Sequence, residues 1–274
     1  LEWLCRAPAP AKKLTYALMD RLLGALLLPR LNVFRAESGL PPLHNVYRDV
    51  WHRATAVAAL FPPWFGEPQP DWPAHLRQFG FPFLPPAGGN PTPLAESLET
   101  FLAAGAPPVL WTHGSSNFDT EDFAAAALGA SAALGERCLL VGPSRPACAP
   151  PLSAQFHYAP HAPFADLFPR CRAVVHHGGI GTSVQGLAAG VPQLVIPRAH
   201  DQPDNARRLE RLGVGAYLSY GKLSAATAAA GLRALLADPA THTACQRAQA
   251  QLLATDCLPE LCAWIEQFAV GSHA

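Results

Sequence analysis

The sequence predicts an α/β fold in which a parallel sheet is covered by helices on both faces. Two observations carry that reading. From Leu94 onward, short apolar runs alternate with longer amphipathic stretches, and this alternation implies parallel strands joined by helical crossovers. Half of the 274 residues are hydrophobic and 15% are charged, so an extensive core is available and general disorder is not expected.

Residues 1–93 are irregular and rich in proline and aromatic side chains. Their one clear helical pattern covers 12–28, where Leu14, Leu18, Leu22 and Leu26 recur at a spacing of four as a packing stripe. Pro29 is expected to end it. The run FPPWFGEPQPDWP at 61–73 excludes a long helix or a central strand, and PPAGGNPTP at 85–93 reads as a linker. Beyond it, strands are expected at 109–112, 138–141, 156–158, 173–176 and 193–196. Helices are expected at 120–134, 182–189, 204–212, 225–237, 241–254 and 258–270.

Several function classes fall away on composition. Twenty basic side chains balance twenty acidic ones, which leaves no electrostatic footprint for nucleic acid. No apolar stretch approaches the roughly 20 residues that cross a bilayer, so no transmembrane segment and a cytoplasmic location are expected. The seven cysteines are odd in number and include no CxxC pair, which speaks against a disulfide framework or a cysteine zinc site. The chain opens at Leu1 in mid-pattern and reads as a fragment of something longer.

Ligands of open parallel sheets bind beyond the carboxyl ends of the strands. Here those loops read HGSSN, YAPHAPF, HHGGIGTS and PRAHDQPDN. The third is the strongest signal. A buried strand ends at His176, a helix opens near Thr182, and Gly178, Gly179 and Gly181 between them allow a sharp turn and close approach of a ligand. The first turn of the helix exposes N–H groups with roughly half a positive charge, to which Thr182 and Ser183 add hydroxyls. Such a place suits phosphate oxygens, although a tight turn that needs glycine only for packing would look the same. The loop is not a Walker motif, because no lysine follows the glycines, and His113-Gly114-Ser115-Ser116 lacks the glycines of the nicotinamide fingerprint. No metal is expected either. His176 and His177 are adjacent on a strand and point apart, and Pro160 breaks any helix that would pair His157 with His161.

The stretch HYAPHAPFADLFPRCRAVVHHGGIGTSVQGLAAGVPQLVIPRAHDQPDNARRLERLGVG, from His157 to Gly215, resembles the donor-binding motif of GT-B glycosyltransferase family 1, of the macrolide, sterol and rhamnolipid types. RAESGLPP, LFPPWFGEPQPDWP and GFPF are similar to the late first domain of the bacterial rhamnosyltransferase-like branch. The resemblance implies a GT-B C-terminal Rossmann-like domain at 94–274, preceded at 1–93 by the tail of the N-terminal acceptor domain and its linker. It also implies an inverting, metal-independent hexosyltransferase that moves sugar from a UDP- or dTDP-sugar to a hydroxyl on a small-molecule or lipid acceptor. No cofactor is implied, since the nucleotide-sugar is a substrate. The family's catalytic base lies in the acceptor half, and no residue here matches it.

Residue by residue, the resemblance assigns the donor diphosphate to His177, Gly179, Gly181, Thr182 and Ser115, and leaves His176 a structural role. Ser115 also fits a helix N-cap. Tyr158 stands where relatives stack an aromatic ring on the base, though a tyrosine packed on its own sheet fits equally. Gln185 stands where many relatives carry a glutamate for the ribose, so that contact would be uncharged. Asp201 and Gln202 match the pair that reads the donor sugar. Asp201 fits a helix cap as well, and Asn205 one turn later fits packing or capping. Alternatives of other classes are a donor-binding subunit working with a separate acceptor-domain chain, and an inactive nucleotide-sugar-binding protein.

Overall fold

The computed structural model describes residues 7–46, 49–50, 54–70, 72–82, 93–114 and 120–269. Contacts divide the chain into two units, Leu1–Gly80 with Glu260–Ala274, and Phe81–Pro259.

In the first unit, helix α1 (Ala9–Glu37) runs through Pro29 rather than ending there. The proline forfeits one intrahelical bond, a cost of about 3 kcal/mol, and the helix continues to a true stop ten residues further on. That stop is Gly39, left-handed at φ 68°. Leu40 N–H reaches the Arg35 carbonyl at 2.8 Å and Gly39 N–H reaches that of Ala36 at 3.0 Å, a Schellman closure that favours glycine at this position. The expected packing stripe is also corrected. Leu14, Leu18, Leu22 and Leu26 are 73, 56, 62 and 72% exposed. A short parallel pair, β1 (Val57–Ala59) and β2 (Leu76–Gln78), follows. The last helix, α9 (Leu258–Ala269), packs Trp264 on Phe79 at 5.2 Å and pairs Glu260 with Arg77.

The second unit carries a parallel sheet of six strands: β3 (Val109–Thr112), β4 (Cys138–Val141), β5 (Phe156–Ala159), β6 (Ala173–His176), β7 (Gln193–Val195) and β8 (Gly215–Tyr217), in the order β5-β4-β3-β6-β7-β8. Alternate side chains serve opposite faces. Val109, Trp111, Leu140 and Val175 pack beneath α3 (Thr120–Leu134) and α7 (Ala225–Ala237). Leu110, Leu139, Val141 and Val174 pack beneath α2 (Glu96–Ala103) and the turn α4 (Phe164–Leu167). The remaining helices are α5 (Ile180–Ala189), α6 (Gln202–Arg211) and α8 (Pro239–Leu253). Three expected helix starts move by two residues: α5 opens at Ile180 rather than Thr182, α6 at Gln202 rather than Asp204, and α8 at Pro239 rather than Thr241. Strand β8 and helix α2 are additions to the expected elements. Among the described residues no helix is long and apolar enough to cross a membrane.

Candidate functional site at the sheet switch point

Strand β3 lies beside β6, and from this pair the chain winds outward in both directions. Such a reversal opens a crevice at the carboxyl ends of the two central strands. The loops that meet there begin at His113 and at His177.

His176 closes β6 and is fully buried. Its Nδ1 accepts the Gly178 N–H at 3.0 Å, so the ring proton sits on Nε2, which lies 2.9 Å from Gln193 Oε1. Gly186 makes room for the Gln193 amide, since a Cβ there would sit 2.4 Å from Gln193 Cδ. Burial, reinforced by the neighbouring His177, lowers the His176 pKa to about 3. The ring is neutral and structural, as expected.

His177 is half-buried and faces the other way, its ring at 88° to that of His176. It is held between two glycines. A Cβ on Gly114 would approach its Cε1 to 2.6 Å, and one on Gly179 would approach its Nε2 to 2.5 Å. Gly179 therefore makes room first of all for this ring. Its own backbone, at φ −60°, is ordinary, and the sharp turn rests on Gly178 alone, at φ 90°. His177 Nδ1 is buried without a hydrogen-bond partner among the described residues. Burial lowers the His177 pKa, repulsion by His113 adds to this, and Asp201 opposes it. His113, which the sequence reading passed over, is buried beside Gly142 and likewise lowered, chiefly by burial.

Helix α5 begins at the N-cap Gly179. Gly181 therefore lies in its first turn, with open space where a Cβ would point, and Thr182 is half-exposed beside it. Ser183 turns inward and donates to the Gly179 carbonyl at 3.0 Å. One turn further, Gln185 Oε1 is buried without a partner among the described residues. Ser115 lies outside the described residues.

The loop after β7 approaches from the other side. His200 is left-handed, at φ 58°, an uncommon conformation for a side chain with a Cβ. Gln202 is buried, and its Oε1 accepts the N–H groups of Arg198 at 2.9 Å and Ala199 at 3.2 Å. Asp201 occupies the N-cap position of α6 but makes no side-chain cap bond. Its Oδ2 instead accepts from Asn205 Nδ2 at 2.8 Å, and the same nitrogen donates to the Gly178 carbonyl at 2.9 Å.

Tyr158 lies apart from this cluster, on the edge strand β5. Its hydroxyl donates to the Gly142 carbonyl at 2.7 Å, and its half-buried ring lines a small depression with Trp111, His113, Phe123 and Pro146. His113 thus stands between the Tyr158 wall and the glycine loop. The structure brings His177, Gly179, Asp201 and Gln202 together around Gly178, with Gln185 one turn up α5 and Tyr158 across His113.

Residues 152–268 match the family model for the erythromycin biosynthesis protein CIII-like C-terminal domain. The chain is 34% identical over 244 residues to the O-mycaminosyltylonolide 6-deoxyallosyltransferase of Streptomyces fradiae, covering 87% of this chain and 56% of that one. A crystal structure of the glycotransferase of kitacinnamycin superimposes with a TM-score of 0.71 at 22% identity, covering 95% of this chain and 68% of that one. Glycosyltransferase VinC, solved in complex with dTDP, gives 0.61 at 23% identity, covering 80% and 53%. The chain spans about half the length of the curated relatives it matches. Sequence and fold together support the C-terminal half of a GT-B, family 1-like glycosyltransferase for this chain.

Proposed function

We propose that this chain supplies the donor site of an inverting, metal-independent hexosyltransferase that uses a UDP- or dTDP-sugar. The observation that carries the reading is His177, wedged between Gly114 and Gly179 with Nδ1 unpartnered among the described residues, at the switch point and beside the N-terminus of α5. On this reading the N–H groups of Gly181 and Thr182 and the Thr182 hydroxyl meet the diphosphate, where the helix end favours negative charge. The His177 ring, kept neutral by burial, donates one hydrogen bond to the same oxygens. Ser115 belongs to the same set by resemblance.

The reaction is a single displacement. The acceptor hydroxyl, belonging to a small molecule or lipid, loses its proton to a base of the acceptor half and attacks the anomeric carbon. The bond from that carbon to the diphosphate oxygen breaks, and its electron pair leaves with the nucleotide. Donors fixed where that charge appears stabilise the transition state more than the ground state. Tyr158, its hydroxyl already satisfied, offers a flat face to uracil or thymine. Gln185 Oε1, without a partner among the described residues, suits a ribose hydroxyl. Asp201 reads the donor sugar together with Gln202, whose Oε1 is committed to the loop and whose amide N–H groups would be its donors to the sugar.

Asp201→Ala tests the sugar assignment. Calorimetry should show UDP-glucose or dTDP-glucose binding weakened roughly tenfold, the worth of one charged hydrogen bond, with UDP and dTDP nearly unaffected. Equal losses for diphosphate and nucleotide-sugar would leave Asp201 a loop-holding residue with no sugar contact.

A further inference from the structure

Asn205 was read from sequence as a packing or capping residue, yet it is buried and its amide nitrogen spans two loops. One N–H goes to the Gly178 carbonyl at 2.9 Å and the other to Asp201 Oδ2 at 2.8 Å. Both partners accept only, so the amide has one workable orientation, with nitrogen toward them. The α6 end also fits Gly178 closely. A Cβ there would meet the Gln202 carbonyl at 3.0 Å and Val195 Cγ1 at 2.8 Å. In a trans peptide the carbonyl and the following N–H point in opposite directions. Holding the Gly178 carbonyl toward α6 therefore turns the Gly179 N–H the other way, at the N-cap of α5.

We propose that Asn205 is a positioning residue that couples the two halves of the donor site. A single amide sets the peptide that opens the diphosphate loop and orients the carboxylate that reads the sugar. This rests on the donor-site reading above.

The test compares wild-type chain, Asp201→Ala, Asn205→Ala, Asn205→Asp and the Asp201/Asn205 double alanine variant. UDP and UDP-glucose, with dTDP and dTDP-glucose in parallel, are titrated at a temperature where thermal melts show every variant folded. Asn205→Ala should weaken the diphosphate roughly fivefold and the nucleotide-sugar roughly fiftyfold, within the range for bonds to charged or buried groups. Its excess loss on the sugar should match that of Asp201→Ala, and the double variant should lose no more of that excess, because the two residues act as one unit. Asn205→Asp, which faces an oxygen to two acceptors, should be at least as impaired; where it fails to fold, Asn205→Ala decides. If wild-type chain binds these probes while Asn205→Ala keeps the wild-type ratio of nucleotide-sugar to diphosphate affinity, Asn205 only packs and the coupling is overturned. If wild-type chain binds none of them, the donor-site reading falls first and this proposal falls with it.

Discussion

Replacing His176 by alanine is expected to destabilise the chain by about 3–5 kcal/mol, the range for emptying a core site and leaving buried polar groups unpaired. The ring is fully buried, and its loss orphans both the Gly178 N–H and Gln193 Oε1. The turn that opens the glycine loop would lose its anchor as well. Denaturant unfolding measures the loss, and a cost under about 1 kcal/mol would contradict the assigned role. Acid gives a second readout. The folded ring titrates at about 3 against an ordinary value of 6.5, so between those pH values the unfolded chain binds a proton that the folded chain refuses. Stability is therefore full above pH 6.5 and falls as pH drops toward 3, by up to about 1.4 kcal/mol per unit for this group. Burial lowers His177, His113 and His157 in the same direction, which steepens the slope. His176→Ala should remove one proton's share of it.

Its neighbour should behave in the opposite way. His177→Ala is expected to weaken UDP and dTDP binding by about 10–100-fold, the cost of one hydrogen bond to a charged group, while stability changes by under about 1 kcal/mol. The ring is half-buried and already flanked by glycines, so its removal leaves a gap open to the crevice and no strained backbone. Calorimetry on the folded variant measures the affinity. Normal binding by His177→Ala together with lost binding in a folded His176→Ala would reverse the two roles.

The central strands were legible because each is a short apolar run bounded by charge, proline or glycine: Val109–Thr112, Cys138–Val141 and Ala173–His176 stand where local pattern puts them. The glycine loop was legible for the same local reason. What local pattern misjudged was punctuation. Pro29 looked like the end of α1, but a proline removes one bond, whereas Gly39 supplies the left-handed residue that closes the helix. Strand β8 escaped because Gly215–Tyr217 is only three residues long and takes its strand form from pairing with β7. His113 and Asn205 depend on contacts that only the strand order creates. His113 sits beside Gly142 because β3 neighbours β4, and Asn205 reaches Gly178 because β7 neighbours β6. Gly179 shows the limit from the other side. Glycine was rightly required there, but for the ring of His177, a contact two residues away whose direction the sequence leaves open.

The most direct test of the donor site is a thermal melt of the purified full chain with nucleotides and without added metal. A ligand that binds only the folded chain stabilises it by about 2.7 kcal/mol at a hundred times its Kd, and for a chain of this size each kcal/mol raises Tm by roughly 2–4 °C. UDP or dTDP should therefore raise Tm by about 5–10 °C, and ADP or GDP by less. A well-folded sample that shows no shift with any uridine or thymidine diphosphate, or with UDP-glucose or dTDP-glucose, would contradict the assignment of this crevice to a nucleotide-sugar.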